Sequence, residues 1–373
     1  MDLKITILSD VPVSPNLSDG KDTCAFVQLA KRAGGEPYLA YRRGSAKHGP
    51  DGAFVMQRTS DGVRTWSDPL TIFDRTHLAP PESVVCGGIA VVDETLVAAV
   101  KSLEMLSLDV YVFGEEAESF PHYVSLLLSG DSGETWTEPR RIDISPFGGA
   151  RTGVATNPFV LPNGSLCLPL EVQLDCGPQA TAAVVTPDLG NTFSHPHLLV
   201  GDETGQLCLC DARVTQLHDQ SFLMHLWTFT CDGEQTMEVH QSRSTDGLHW
   251  TPALPTGIHG QISAPLEVSP GFIIAVCNHR EPPEGNQLWW SGDGGETWND
   301  QPIQMWDVTE GRMLGTPSAR RSAVSISAVW DSLPSFSFGS PGMLLLDDGA
   351  VLLTYYATID GIIHVRACQF RLS

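Results

Sequence analysis

The stretch Ser129-Gly-Asp131-Ser-Gly133-Glu-Thr135-Trp136 decides the fold because its pattern recurs along the chain. The same order of hydroxyl residue, Asp, Gly and Thr-aromatic pair appears at 186–193 and 291–298, and degraded copies lie at 59–66 and 244–250. In a tight turn, Asp accepts backbone N–H groups, Gly takes the positive-φ position and the aromatic ring fills the space beneath. The repeat therefore indicates one kind of turn, built five times.

The spacing of these Asp turns counts the structural units. The aspartates are separated by 70, 57, 58 and 47 residues, and they are Asp61, Asp131, Asp188, Asp246 and Asp293. At this spacing, a chain of 373 residues holds about six units. A second repeat, an apolar strand followed by a turn and another apolar strand, precedes each Asp turn and occurs once more from residue 342. This repeat also gives six units.

The two ends of the chain complete the sixth unit. Residues 363–370 have the pattern of its third strand, and residues 3–8 have the pattern of a fourth strand that closes the ring. Radial repetition of four-stranded sheets is a β-propeller, and closure removes exposed strand edges. The sequence therefore predicts an all-β protein, a six-bladed β-propeller of four-stranded antiparallel blades closed by the N-terminal strand. We expect residues 1–373 to form a single domain.

Composition agrees with this fold and excludes some partners. The chain contains 35 Gly and 26 Pro, and only 18% of its residues are charged, which favours strands and turns over solvated helices. Its 22 Lys and Arg residues stand against 44 Asp and Glu residues, a net charge of −22. An excess of acid this large argues against binding to nucleic acid or to an anionic membrane surface.

The N-terminus and the cysteines predict a cellular setting. Residues 1–10 contain no basic segment followed by an apolar one, so we expect no signal peptide and a cytoplasmic protein. The nine cysteines are odd in number, lie mostly in apolar strand-like segments and include no CxxC pair. We therefore expect reduced thiols, no metal site and no cofactor.

The Asp turns resemble the Asp-boxes, or BNR repeats, of the sialidase superfamily, and the resemblance covers essentially the whole chain. It implies a six-bladed propeller, often carrying an exo-acting glycoside hydrolase, with the Asp turns on the face away from the active site. It further implies three arginines that clamp a substrate carboxylate, an Asp acid/base, and a Tyr nucleophile assisted by Glu. A guanidinium fork suits such a carboxylate because it binds both oxygens.

Carried over residue by residue, the family pattern is partly present. The Arg-Ile-Pro element before the first blade is missing, since residues 22–26 read Asp-Thr-Cys-Ala-Phe. The tyrosine position of the sixth blade falls on Ser340. The resemblance still implies Asp51 as an acid, and Arg213 and Arg280 as the arginines of the fourth and fifth blades.

In a propeller, the functional mouth lies at the ends of the innermost strands and in the loops that join second to third strands. Glu171 ends an apolar strand that delivers it to the mouth, where Asp51, Asp211 or His48 could be its catalytic partner. The substrate-binding candidates are Arg43, Arg213, Arg280, Trp227 and Tyr356. Further polar residues that map to the mouth are Lys47, Arg151, Asp175, Arg320 and Arg321.

Two classes of function fit these residues. The first is a sialidase-like, exo-acting glycoside hydrolase that removes a terminal sugar, with an acidic sugar as one option. A polysaccharide lyase acting on uronate-containing glycans is a variant of it, with His48 or His279 as the base. The second is a non-catalytic carbohydrate-binding propeller. The sequence favours the hydrolase, with a carbohydrate partner, and leaves the oligomeric state open.

Overall fold

The computed structural model describes residues 3–14, 20–32, 34–110, 112, 115–148, 152–154, 156–174, 177–318 and 338–373. Arg151, Asp175, Arg320 and Arg321 lie outside these residues. The strands up to the middle of the chain are β1 (Ile5–Pro12), β2 (Thr23–Lys31), β3 (Pro37–Gly44), β4 (Ala53–Arg58), β5 (Leu70–Phe73), β6 (Glu82–Val92), β7 (Thr95–Glu104), β8 (His122–Ser129), β9 (Arg140–Ile142), β10 (Thr152–Gly153), β11 (Phe159–Val160), β12 (Leu166–Gln173), β13 (Gln179–Thr186) and β14 (His197–Val200). The later strands are β15 (Leu207–Gln216), β16 (Phe222–Thr230), β17 (His240–Ser244), β18 (Leu254–Pro255), β19 (Ser263–Ser269), β20 (Phe272–His279), β21 (Gly285–Ser291), β22 (Ile303–Asp307), β23 (Arg312–Pro317), β24 (Phe338–Leu345), β25 (Val351–Ile359) and β26 (Ile362–Leu372).

These strands form six antiparallel sheets, each a blade. Blade 1 is β2-β3-β4-β5, blade 2 is β6-β7-β8-β9 and blade 4 is β15-β16-β17-β18. In blade 3 two short strands, β10 and β11, both pair with β12, and in blade 5 a fifth strand, β23, adds to β22. Helix is limited to two short 3-10 turns in the described residues, Glu115–Ser119 and Ser145–Phe147, and neither is long and apolar enough to cross a membrane.

Blade 6 joins the two ends of the chain. Its strand order is β1-β26-β25-β24, and Ile5 lies opposite Leu372 while Pro12 lies opposite Arg366. The predicted six-bladed propeller and its closure by the N-terminal strand are therefore confirmed. Closure pairs β1 along β26, so β26 is not left as a free edge for another chain.

The core lies between the blades, so the middle strands are apolar on both faces. Leu352 and Leu353 of β25 are both 0% exposed, and they pack on opposite sides of the blade. Leu352 contacts the cluster shared with blade 1, and Leu353 contacts the cluster shared with blade 5. Successive residues of a strand point to opposite faces, so this pattern produces continuous apolar runs instead of alternation.

The five Asp turns join third to fourth strands. In the turn at 129–136, the Asp131 carboxylate accepts the Thr135 N–H at 2.9 Å, the Thr135 hydroxyl at 2.6 Å and the Ser129 hydroxyl at 2.8 Å. In the shorter turn at 244–250, the His249 ring nitrogen Nδ1 lies 2.7 Å from Asp246 and takes the place of the threonine hydroxyl. The turns are thus hydrogen-bonded by their own side chains.

These turns make the fold sensitive to acid. The pKa values of Asp61, Asp131 and Asp293 are lowered from 3.8 to about 2 by hydrogen bonds from the threonine of each turn. A pKa below the unfolded value means stabilisation that is complete above about pH 4 and lost as the pH falls towards 2. We predict that the free energy of unfolding in urea decreases across this interval. The decrease should be smaller in Asp131→Asn, and an equal decrease in that variant would contradict the prediction.

Candidate active site at the mouth of the propeller

The mouth is the end of the propeller where inner strands begin and second strands end. Three inner strands carry there a residue with left-handed backbone, namely Phe26 (φ 57°), Asp211 (φ 47°) and Ser340 (φ 49°). Each lies where the pairing with the second strand shifts in register, which is a β-bulge. Positive φ is strained for residues other than glycine and clusters at functional sites. Bulges at the same place in blades 1, 4 and 6 therefore mark the mouth.

Two carboxylates meet at the mouth between blades 3 and 4. The Asp211 backbone N–H donates to Glu171 Oε2 at 2.8 Å, and both side chains are half-buried. No described residue donates a hydrogen bond to Glu171 Oε1 or to the Asp211 carboxylate. Within the described part of the chain, the Asp211 N–H is thus the hydrogen-bond donor to Glu171.

Burial and mutual repulsion make this carboxylate pair hold a proton. Desolvation, then the negative charge of Asp211, raises the pKa of Glu171 from 4.5 to about 7, against the opposing effects of the hydrogen bond and Arg213. Desolvation also raises the pKa of Asp211, but Arg213 and Lys47 oppose the rise. Two neighbouring carboxyl groups titrate as a pair, so this pair retains a proton to a higher pH than isolated carboxyl groups would.

Arg213 lies beside the carboxylate pair on the same inner strand as Asp211. Its side chain is buried and donates to Ser340 Oγ at 3.2 Å and to the Ala212 carbonyl at 3.1 Å. Desolvation lowers its pKa, while Asp211 and Glu171 oppose the change. Arg213 therefore links the carboxylates to the bulge of blade 6.

Lys47 reaches the mouth from the loop between β3 and β4. Its Nζ lies 5.4 Å from the ring centroid of Phe26 and 5.3 Å from that of Tyr356, a cation held between two aromatic faces. It is 7% exposed, and burial lowers its pKa against the opposing effects of Tyr356 and Asp211. Tyr356 also opposes the lowering of the pKa of Arg280, which desolvation causes.

Arg280 follows β20 and completes the cationic set. Its Nε donates to Gln261 Oε1 at 2.7 Å, and one terminal nitrogen donates to the Phe338 carbonyl at 2.8 Å. Its guanidinium carbon lies 4.5 Å from the Phe338 ring centroid. Arg213 and Lys47 thus lie near Asp211, and Arg280 lies near Lys47 and Tyr356, in a chain whose net charge is −22. The overall charge describes the outer surface and not the mouth.

The structure brings together Glu171, Asp211, Arg213, Arg280 and Tyr356 from the set predicted by sequence, but places Asp51 elsewhere. The Asp51 carboxylate accepts the Ser45 N–H at 3.1 Å and its hydroxyl at 2.9 Å. Nearby, the fully buried Arg42 donates to the carbonyls of Ala46, Gly49 and Val84. These bonds fix the loop that carries Lys47, so the geometry gives Asp51 a positioning role in that loop.

His48 borders the cluster. Its ring centroid lies 5.4 Å from that of Phe26, and burial, then Lys47, lowers its pKa well below 6.5. It is therefore neutral at pH 7. His279 is held by its own loop, where Nδ1 lies 3.0 Å from the Glu281 carbonyl oxygen.

Two predicted substrate-binding residues are packed within the blades. Trp227 is 6% exposed and packs against Phe229 at 5.2 Å between ring centroids, so it offers little surface for stacking with a sugar. Arg43 is 9% exposed and pairs across the sheet with Cys24. Both residues lie near the mouth end of a strand, and their burial is similar to that of Lys47 and Arg213, which are each 7% exposed.

Phe26 and Lys47 are the functional candidates that sequence reasoning undervalued. Lys47 was placed at the mouth but not among the substrate-binding residues, because arginine suits a carboxylate better. The available sequence signal for Lys47 was its position two residues before a Gly-Pro-Asp turn, in a loop that joins a second strand to a third strand. The bulge at Phe26 leaves no sequence pattern. Among the described residues, no group of three or more His, Cys, Asp or Glu side chains could hold a metal ion.

The comparisons with known proteins agree with this geometry at the level of fold. The chain belongs to the BNR repeat-like domain family, whose model matches residues 35–351. It is a sialidase-like six-bladed propeller, as the resemblance of the Asp turns implied. No curated protein matches the chain.

Several solved structures share the fold. A protein of unknown function from Dyadobacter fermentans has a TM-score of 0.67 at 18% identity, over 99% of this chain and 100% of that one. Trypanosoma rangeli sialidase in complex with sialic acid has a TM-score of 0.62 at 12% identity, over 99% of this chain and 59% of that one. A Hadza microbial sialidase has a TM-score of 0.68 at 14% identity, over 98% of this chain and 68% of that one. At these identities the likeness concerns the fold alone.

Proposed function

We propose that the protein is a sialidase-like glycoside hydrolase that removes a terminal acidic sugar from a glycan. The observation that carries the proposal is the Glu171–Asp211 pair, two half-buried carboxyl groups joined by a 2.8 Å hydrogen bond from the Asp211 backbone. Glycosidic cleavage uses two carboxyl groups that differ in protonation, one as an acid and one as a carboxylate.

The environments of the two groups support different roles for them. Glu171, with its pKa raised to about 7, remains partly protonated at neutral pH and can give a proton to the leaving oxygen. Asp211 faces the positive charges of Arg213 and Lys47, which favour its ionised form. Its carboxylate would stabilise the positive charge that develops on the sugar ring, or attack the anomeric carbon directly.

The cations point to an acidic sugar. Arg213, Arg280 and Lys47 come from blades 4, 5 and 1, and Lys47 Nζ lies 5.3 Å from the ring centroid of Tyr356. A carboxylate or another anionic group on the substrate would replace the water that these desolvated cations lose, and charge-assisted hydrogen bonds are the strong ones. A neutral sugar would leave this cluster uncompensated.

A panel of fluorogenic aryl glycosides tests the proposal. Sialosides and uronides should be hydrolysed and should release the free acidic sugar, whereas neutral hexosides should not react. An unsaturated sugar product would favour the lyase, and tight glycan binding without any product would favour the non-catalytic propeller. Turnover of neutral glycosides without turnover of acidic ones would contradict the proposal that the cations bind an acidic sugar.

Lys47→Met should separate substrate recognition from chemistry. Methionine keeps the apolar stem between Phe26 and Tyr356 but removes the charge, so KM for an acidic glycoside should rise by about 10- to 100-fold, the value of one charge-assisted contact. The kcat should change much less. Lys31→Met is the matched control, because Lys31 pairs with Asp347 away from the mouth. An equal KM effect in both variants would contradict the role of Lys47.

A further inference from the structure

Two thiols lie within contact distance at the mouth of blade 4. The Sγ atoms of Cys208 and Cys231 are 3.4 Å apart, and the eight described cysteines are all free thiols. Among these, Cys231 alone is exposed. The pair therefore combines a buried thiol with one that a solvent-borne reagent can reach.

The position of the pair connects it to the carboxylates. Cys208 lies at the start of β15, three residues before Asp211, and Cys231 follows β16 and begins the loop that leads to β17. The Cys231 N–H donates to the Gln206 carbonyl at 2.9 Å, so the ladder between the two strands extends to this point. A covalent bond here would join the mouth loop of blade 4 to the strand that presents Asp211.

We propose that Cys208 and Cys231 form a reversible disulfide under oxidising conditions and that this bond fixes the mouth loop at residues 231–239. An S–S bond of about 2.05 Å requires the sulfur atoms to approach by a little over 1 Å, which side-chain rotation within a hairpin can provide. The proposal stands independently of the hydrolase assignment.

Cys210 is a less suitable partner, although it lies on the same face of β15 as Cys208. Its thiol is buried and donates to Gln179 Oε1, and the Gln179 backbone N–H donates to Cys208 Sγ at 3.4 Å. Gln179 therefore holds Cys210 at the junction with blade 3. Cys231 is exposed and lies 3.4 Å from Cys208 between Sγ atoms.

The chemistry with glutathione disulfide as oxidant is balanced. The Cys231 thiolate attacks one glutathione sulfur, forms a mixed disulfide and releases one glutathione thiolate. The Cys208 thiolate then attacks Cys231 Sγ and displaces the second glutathione, so two protein thiols are oxidised and one glutathione disulfide is reduced. Desolvation and the hydrogen bond with Cys208 raise the pKa of Cys231 to about 12. The first step should therefore accelerate as the pH rises, because the thiolate is the nucleophile.

Mass spectrometry of the full chain treated with glutathione disulfide tests the proposal. The wild type should lose two hydrogen masses, and a non-reducing digest should contain a peptide pair linking Cys208 to Cys231. Cys208→Ser should accumulate the glutathione adduct on Cys231, because the resolving thiol is missing. Cys231→Ser should give neither product. Hydrogen exchange of residues 231–239 should slow in the oxidised wild type and recover after reduction.

Three outcomes would overturn the proposal. The wild type could accumulate the stable adduct without the internal bond, the linked peptides could join other cysteines, or Cys231→Ser could form an internal disulfide in the same yield. Because Cys231 is exposed, its serine variant should remain folded. That variant keeps the test decisive even if Cys208→Ser fails to fold.

Discussion

Glu171→Gln should lower the turnover of an acidic glycoside by about 10²- to 10⁴-fold, the usual contribution of a positioned acid. The variant keeps a side-chain oxygen that can accept the Asp211 N–H, so the local geometry is preserved. It also removes the repulsion between two half-buried carboxylates, so the melting temperature should stay the same or rise. Steady-state kinetics and a thermal melt on the same preparation measure both quantities.

Glu267→Gln is the matched control. Glu267 is also buried, but its carboxylate accepts the N–H groups of His218 and Gly271 in turns at the end of the propeller opposite the mouth. Its replacement should lower the melting temperature and leave kcat unchanged. Full turnover in Glu171→Gln, or an equal loss in both variants, would remove Glu171 from the mechanism.

Asp211→Asn should have a comparable effect on turnover and should also shift the pH dependence. Asparagine tolerates the left-handed backbone of the bulge, so the strand geometry should be retained. The pKa of Glu171 is raised in part by the charge of Asp211, and removal of that charge should lower it towards 4.5. A reaction that needs protonated Glu171 would then lose its residual rate at a lower pH than in the wild type.

The pH profile of the residual activity provides the test for Asp211. Asp219→Asn, which changes an exposed turn carboxylate away from the mouth, should leave both the rate and the profile unchanged. A profile in Asp211→Asn that declines at the same pH as in the wild type would show that the two carboxyl groups are not coupled.

The fold was predictable because its signals are local and repeated. An Asp turn is encoded in eight consecutive residues, and its copies count the blades without any knowledge of long-range contacts. The closing strand was predictable as well, since blade 6 lacked a fourth strand and residues 3–8 supplied the apolar pattern. Among the described strands, β10 in blade 3 and β23 in blade 5 are the additions to the predicted repeat.

The site was harder to predict because it is assembled across blades. Glu171 was identifiable because it ends an apolar strand, and Asp211 and Arg213 were identifiable as a polar pair on an inner strand. Burial does not separate the other candidates, because Trp227 and Arg43 are 6% and 9% exposed while Arg213 and Lys47 are each 7% exposed. Alternation along a strand gives the face of a residue, whereas the packing of the adjacent blade decides what reaches solvent. The β-bulges also change the direction in which individual side chains point, and no sequence pattern in this chain predicts the bulges.

The Asp turns also explain why a strong family signal leaves the chemistry open. They lie between third and fourth strands, at the end of each blade opposite the mouth, so the residues that reveal the fold make no contact with the carboxylate pair. The arginine and tyrosine elements missing at residues 22–26 and at Ser340 lie at the mouth itself. The proposed reaction therefore depends on the cluster that this chain has in their place.

The central claim, that Glu171 and Asp211 share a proton, can be measured without knowing the substrate. Carbon-13 NMR of side-chain carboxyl groups, with Glu171 assigned by its absence in Glu171→Gln, follows the titration directly. We predict that Glu171 titrates with a midpoint at about 7 in the wild type and at a clearly lower pH in Asp211→Asn. A midpoint near 4.5 that is unaffected by Asp211→Asn would contradict the account.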